Sequence, residues 1–483
     1  MNLEGHDMNK TFFPTRWALA PLLAALVLAG CASPPIVEPI APPAAPAAFK
    51  ELDGRWVAVQ PAEAQPRGDW WKAFGDPLLD DLVARAERGN TSLQLAAARL
   101  AQARALLRAA DADRLPQIGV GAGANRSSAS PAFGTTAPAT VINAGASVAY
   151  EPDLFGRLAK ASQAATLDAQ SREALVQSTR LLVQSEVAQA YFGLRALDAE
   201  RALVRQTVGA YRDTLRLTER RFAAGDVAEL DLARVQTEVA ATEAQALALD
   251  RRRAELEHAL AVLLGDVPSA LSVSEADWTG ALPQVPPGVP GTVLARRPDV
   301  AAAQRAMQAA QTRVGVAQAA WFPDVSLTAT SGFASTDLGD LFKWSARAWG
   351  VGALLSLPVF DGGRREAGVR GANAAWDAAA AGYREQVLVA FREVEDQLSA
   401  LRLLADQAAA QAQAVDAASR ATVLSTSRYR NGYVSQLELL DARRSELANR
   451  RQALQVRAAQ YQSTIGLIRA LGGGWDATGA RKG

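Results

Sequence analysis

The sequence predicts a mixed α and β chain made of one unit written twice, with long antiparallel helices and short pairs of strands in each copy. Three observations carry this. Landmarks of the first half return in the second at one constant spacing: Arg221-Phe222-Ala223-Ala224-Gly225-Asp226-Val227 pairs with Arg428-Tyr429-Arg430-Asn431-Gly432-Tyr433-Val434, an offset of 428 − 221 = 207. The same offset maps Pro116 onto Pro323, Gly156-Arg157 onto Gly363-Arg364, Glu186-Val187 onto Glu393-Val394 and Leu264-Gly265 onto Leu471-Gly472. Next, the whole run from Arg157 to Phe222 is free of Pro and holds only two Gly. As continuous helix it would extend about 100 Å. Finally, four segments of about ten residues alternate apolar with small or polar side chains, the period of a strand with two unlike faces.

Composition narrows the class. The chain has 483 residues, 49% hydrophobic but only 6% aromatic, so small side chains make most of its apolar contacts. Its 51 basic and 50 acidic residues leave a net charge of +1, which provides no footprint for nucleic acid. One Cys excludes an internal disulfide and Cys-ligated metal centres, and two His, at 6 and 258, leave no multi-His metal site. No nucleophile, base and orienting group come together, so no catalytic residue, metal or cofactor is assigned and the chain is not expected to be an enzyme.

The elements follow in order. Lys10 and Arg16 precede an apolar stretch from Trp17 to Ala29, a secretory signal over 1–30 too short to span a membrane and stay. Leu28-Ala29-Gly30-Cys31 resembles a bacterial lipobox, which implies cleavage before Cys31 and lipidation there. Residues 31–69 form a linker and N-terminal extension, Pro/Ala-rich at 32–48. The first repeat occupies 70–265: a short helix from Thr91 to Arg114 capped at Asn90-Thr91-Ser92, a hairpin over 117–151, then helices 157–222 and 228–264. A Pro-rich connector spans 266–297. The second repeat, 298–472, has a helix over 299–321 opened by Pro298, a hairpin over 324–358, and helices 364–429 and 435–471; a tail covers 473–483.

Period-two patterns define the strands. Ile118, Val120 and Ala122 alternate with glycines, and Val325, Leu327 and Ala329 with Ser326, Thr328 and Thr330. Such strands fit a transmembrane β-barrel as well as a small soluble hairpin. In the long helices Val204, Val208, Tyr211, Leu215, Thr218 and Phe222 step by four and three, a coiled-coil seam. Val387, Phe391, Val394, Leu398, Leu401, Ala405, Ala408 and Ala412 make the matching seam. Gly225 and Gly432 supply the left-handed residue that ends a helix, and each helix then returns antiparallel to its partner. Four strands cannot close a membrane barrel, and open edges are not tolerated in lipid, so the chain is expected to oligomerise; three copies supply twelve strands.

Further motifs bring a family into view. Trp70-Trp71 with Phe74, Asp76-Pro77 and Leu78, Asn90 with Leu93, Arg296-Arg297-Pro298-Asp299-Val300, Ala320-Trp321-Phe322-Pro323, Pro358-Val359-Phe360-Asp361-Gly362-Gly363-Arg364, and Leu440-Asp441-Ala442 accompany the two glycine turns. Together they resemble the TolC-like outer-membrane efflux family, in its NodT-like lipoprotein branch serving resistance-nodulation-division (RND) systems. The likeness spans nearly the whole chain after the signal. It implies a long antiparallel α-helical coiled-coil barrel plus four strands per chain in a 12-stranded trimeric transmembrane β-barrel. It also implies a homotrimer in outer-membrane lipid, meeting a periplasmic adapter (membrane fusion) protein and an inner-membrane RND pump.

The site residues divide into three sets. Cys31 is the lipidation site. Arg221, Gly225, Val227, Arg428, Gly432 and Val434 are the expected adapter-contacting tip, although an Arg near a helix C-terminus also serves simply to offset the dipole. Asp441 and Arg444 lie three apart on one helix face with Leu437 a turn earlier, which fits a surface ion pair. The resemblance implies a periplasmic gate at Leu437, Asp441 and Arg444; the repeat copy, Leu230, Arg234 and Thr237, lacks the constellation. Passive export of small molecules is the expected function, against a type I protein secretion duct or a periplasmic coiled-coil spacer. The formal sequons at Asn90 and Asn125 are expected to be a cap and a turn, Gly119-Val120-Gly121 a strand, and His258 a packing or solvent residue. Arg251-Arg252-Arg253 is expected to be a solvated face or a source of inter-helix salt bridges.

Overall fold

A computed structural model describes residues 49–51, 68–128, 138–283, 285 and 296–473. The signal segment, Cys31 and most of the linker and tail lie outside the described residues. A 3-10 turn at Trp70–Phe74 precedes α1 (Pro77–Gly89), α2 (Thr91–Ala112), β1 (Gln117–Ser127), β2 (Ala139–Tyr150), α3 (Arg157–Ala223) and α4 (Glu229–Leu264). After the connector come α5 (Pro298–Ala319), β3 (Asp324–Ser335), β4 (Arg347–Ser356), α6 (Arg364–Arg430) and α7 (Gln436–Ala470). Both bounds of α2 recur in α5 at the repeat offset (298 − 91, 319 − 112), as do those of α3 in α6 (364 − 157, 430 − 223). The duplication is therefore three-dimensional. The helix starts follow local chemistry. Asp76 accepts hydrogen bonds from the Leu78 and Leu79 amides ahead of Pro77, and Asn90 accepts from Ser92 and Leu93.

The strands form one antiparallel sheet in the order β1-β2-β3-β4. Its register brings Ile118, Val148, Ala329 and Val351 into one row, and Gly119, Ser147, Thr330 and Gly350 into the adjacent row on the opposite face. One face is thus apolar and carries Val120 at 88% exposure, while the other is lined by Gly, Ser, Thr and Asn. An apolar face left open to this extent needs lipid or another chain against it. β1 and β4 are the sheet's edges.

The helices make a wall. In its first half α3 packs against α2 and α5, and in its second against α4 and α7; α6 packs against α5 and α7. α2 buries no residue, although it presents Leu95 and Leu106. No helix among the described residues is long and apolar enough to cross a membrane. The main core sits at mid-length of α3, where Trp70, Trp71 and Phe74 pack on Tyr191 and Phe192, and Tyr461 of α7 closes the cluster. Burying each large side chain stabilises the fold by about 1.5–3 kcal/mol, which makes this aromatic junction the principal clamp between the repeats.

Several expectations change. α2 ends at Ala112 and α5 at Ala319, each two positions short of the expected Arg114 and Trp321, because a 3-10 type turn tightens there before Pro116 and Pro323. A separate helix, α1, precedes the expected first helix of the repeat. In the first seam Val204, Val208, Tyr211 and Thr218 are buried, but Phe222 is exposed at the helix end. In the second, Ala405 and Ala412 are exposed while Leu404 and Gln411 turn inward. A straight helix of 3.6 residues per turn drifts against a 3.5-residue repeat, so longer side chains one position away take over the contact. For Arg251-Arg252-Arg253 both expected readings are found, and Arg253 takes the inter-helix salt bridge. Its guanidinium bonds the buried Asp198 of α3 at 2.7 Å and the Glu257 carboxylate at 3.2 Å. Arg251 does remain at the surface, paired with Glu255, and His258 is exposed.

Candidate functional site

The end of the helical wall farthest from the sheet is built by two matching turns. Gly225 and Gly432 adopt φ of +81° and +76°, where a Cβ would be strained. Asp226 donates its amide to the Arg221 carbonyl at 2.8 Å and Gly225 to Phe222 at 2.9 Å; Tyr433 and Gly432 repeat this with Arg428 and Tyr429. These bonds satisfy carbonyls left over at the helix ends and fix where the chain reverses. Val227 and Val434, two positions past each Gly, are half-buried. The two arginines differ despite their equivalent positions. Arg221 sits 5.3 Å from the ring centroid of Tyr429, a buried side chain of α6, whereas Arg428 is exposed with no partner among the described residues.

Leu437, Asp441 and Arg444 lie on the first turns of α7, immediately after the second glycine turn. On this helix Leu439 and Leu440 point inward, where Leu440 packs with Tyr211, Val235 and Val239. Leu437, Asp441 and Arg444 are exposed on the flank of the helix beside this inward stripe. The ion pair expected from their spacing is present: the Arg444 guanidinium bonds the Asp441 carboxylate at 3.2 Å. Its stronger partner is Glu238 of α4, which accepts from a second guanidinium nitrogen and raises the Arg444 pKa above its ordinary value. Asp441 is 60% exposed and Glu238 only 12%, so the acid hidden from the sequence is the better shielded of the two. No spacing rule could have found it, because Glu238 lies far from Arg444 in the chain, on the other repeat. The next residue, Arg443, donates to the Ala210 carbonyl and the Thr214 hydroxyl of α3, and its burial lowers its pKa from the ordinary arginine value. Arg451 bonds Glu200 at 2.7 Å farther along the same seam.

This arrangement holds neighbouring helices together through ion pairs and hydrogen bonds. Among the described residues no group of His, Cys, Asp or Glu is placed to hold a metal ion. An extended helical wall with an ionic cluster at one end and a sheet with one apolar face at the other defines a membrane-channel subunit.

The chain belongs to the outer membrane efflux protein family, whose pattern it matches over residues 82–266 and again over 289–473. Both bounds of the second match lie one repeat offset beyond the first (289 − 82, 473 − 266). It is similar to the solvent efflux pump outer membrane protein SrpC of Pseudomonas putida, 33% identical over 466 residues covering 94% of this chain and 98% of that protein. Outer membrane protein OprJ of Pseudomonas aeruginosa is 32% identical over 473 residues, 95% of this chain and 96% of its own. The crystal structure of the Campylobacter jejuni CmeC outer membrane channel superposes with a TM-score of 0.85 at 25% identity, covering 92% of this chain and 95% of that one. The protein is thus an outer-membrane efflux channel component that works with other pump components, and it is not an enzyme.

Proposed function

We propose that three copies of this chain form the passive exit duct of a tripartite RND efflux pump, lipid-anchored in the outer membrane through Cys31. The observation that carries the reading is the sheet: four strands, one apolar face and two open edges, which become a closed barrel only when further copies add strands. Three copies supply twelve strands and leave a lumen lined by the Gly, Ser and Thr face; two copies would supply eight, which side chains nearly fill. The helical wall then continues the tube into the periplasm. Its two glycine turns, with Gly225, Val227, Gly432, Val434 and the flanking Arg221 and Arg428, are the end offered to an adapter. Leu437, Asp441 and Arg444 form the gate just inside that end. Export of small hydrophobic compounds fits the solvent efflux role of SrpC. The inner-membrane pump, which captures the substrate, sets the choice among compounds.

Purified protein in planar bilayers should conduct ions and run as a trimer on native mass analysis. Deletion should sensitise cells to solvents or antibiotics and leave secreted proteins unchanged. A changed secretome with unaltered susceptibility would instead identify a type I secretion duct, and failure to conduct would favour a structural spacer.

Two further outcomes follow. Acyl chains at Cys31 add membrane affinity of about 0.8 kcal/mol per buried methylene, but the barrel supplies its own apolar surface. Cys31→Ser with an ordinary cleavage site should therefore still fractionate with outer membranes, and a wholly periplasmic soluble product would overturn the barrel reading. At the tip, Gly432→Pro imposes φ near −65° where +76° is required and removes the amide that donates to Tyr429. Efflux should fall to the level of a deletion strain while trimer yield holds. Undiminished resistance would move adapter contact away from this turn.

A further inference from the structure

The duplication makes the surface between copies legible from a contact inside one copy. Within the chain, α3 of the first repeat packs against α5 and α7 of the second. Shifting every partner by one repeat turns this seam into one between α6 and the α2 and α4 of a neighbouring copy. The flanks required are those that the single chain leaves open: α2 buries nothing, and the outer side of α6 carries open glycines at Gly368, Gly371 and Gly382. The same shift acts on the tip. Arg221 stacks on Tyr429 across the within-chain seam. Its counterpart is Arg428 facing the position equivalent to Tyr429, which is Phe222 of the next copy. Both halves of that contact stand unused. Phe222 is 42% exposed and in no ring contact among the described residues, and Arg428 has no partner there. An exposed apolar ring at the end of an otherwise buried seam, and a free cation at the matching place, fit a cation–π pair.

We infer that a second copy of this chain seats on the tip by placing its Phe222 ring under the Arg428 guanidinium, and that this seam between copies is the one that parts when the tip opens. The second half follows from what the shift does to the charged contacts. Within the chain, Arg451 pairs with Glu200 and Arg444 with Glu238. Their equivalents across copies are Ala244 with Gln407 and Thr237 with Ser445, which form no ion pair. The within-chain seam carries these two ion pairs, and the equivalent positions of the seam between copies carry neither. A force applied at the tip separates the weaker seam first. This inference rests on the trimer proposed above.

The test uses the full-length channel carrying Phe222→Cys with Arg428→Cys, treated with a short bis-maleimide, beside Arg221→Cys with Tyr429→Cys and the parent chain. The first pair should give covalent dimers and trimers on denaturing gels, and treatment should abolish the efflux that the same variant shows untreated. The second pair should stay monomeric on the same gels, and treatment should leave its efflux within about twofold of the same variant untreated. The parent should show no linked species. Phe222→Ala should raise single-channel conductance severalfold, and Phe222→Tyr should restore it to the parent value. Native mass analysis separates the two ways of failing: a monomeric parent defeats the trimer, whereas an intact trimer in which the first pair never links defeats the Arg428 contact. Linking with undiminished efflux would defeat the claim that this seam parts.

Discussion

Asp441→Ala combined with Arg444→Ser is expected to raise the single-channel conductance of the purified trimer severalfold and let large antibiotics leak inward, with little loss of trimer stability. In the proposed trimer, three copies of α7 would bring three Asp441 carboxylates toward the symmetry axis, where they repel one another unless a cation or donor intervenes. Arg444 would be that donor, and within one chain it is divided between Asp441 and Glu238. The two arms are unequal. An exposed pair such as Asp441–Arg444 stabilises by about 0.2–1 kcal/mol, whereas a hydrogen bond between charged groups at a shielded acid such as Glu238 contributes about 1.5–3 kcal/mol. Asp441→Ala alone should therefore produce the smaller opening. Arg444→Ser alone should produce the larger, because it leaves both acids without their shared cation. A closed state that depends on this charge balance at the axis and on the weaker seam between copies is within reach of an adapter whose affinities for the two states differ by several kcal/mol. Conductance equal to the parent's in the double variant, with the trimer intact, would reduce these residues to a surface ion pair and move the gate elsewhere.

Gly265→Ala is expected to cost the largest loss of stability of any Gly→Ala substitution among the described residues. Gly265 has φ of +79°, and a Cβ there would lie 2.1 Å from the Gly89 carbonyl oxygen and 2.6 Å from its carbon. A left-handed Ala costs about 1–2 kcal/mol wherever it occurs. The overlap with backbone cannot be relieved by turning a side chain, so α1 must move away from the end of α4. That movement breaks the bond from the Asn90 side-chain amide to the Leu263 carbonyl at 2.8 Å and the Arg85–Asp266 pair at 2.8 Å. The total is several kcal/mol, a large part of the roughly 5–15 kcal/mol that holds a folded domain. Gly225→Ala is the control. It has φ of +81° with nothing within 4 Å of the added Cβ, so it should lose only the left-handed penalty. Thermal unfolding in detergent and folded yield in outer membranes would measure both. Equal losses would show that the close approach of Gly89 and Gly265 is not limiting.

The same glycine shows where reading along the chain reaches its limit. Gly265 and Gly472 match across the repeat, and each follows the last turn of a helix, so a left-handed cap is legible at both. What packs against them is not. Gly89 faces the first, while its counterpart one repeat later, Arg296, faces the second, with its carbonyl group 3.0 Å from an added Cβ. One repeat requires glycine on both sides and the other does not.

The sequence by itself determined what is periodic or local. The repeat, the two 67-residue helices, the glycine turns, the cap at Asn90 and the two unlike faces of the sheet all follow from spacing within a short stretch of chain, or from one constant shift. The Asp441–Arg444 pair belongs here too, since a helix brings residues three apart onto one face whatever surrounds it. Tertiary structure alone decided the contacts between helices distant in the chain. It gave Arg444 its second acid in Glu238, buried Asp198 against Arg253, and turned Leu404 and Gln411 inward in place of Ala405 and Ala412. It also stacked Arg221 on Tyr429 and left the equivalent Arg428 and Phe222 open. The reason is physical: hydrophobic period assigns a residue to a face, but the partner across that face depends on how two helices cross, which no pattern on either helix encodes.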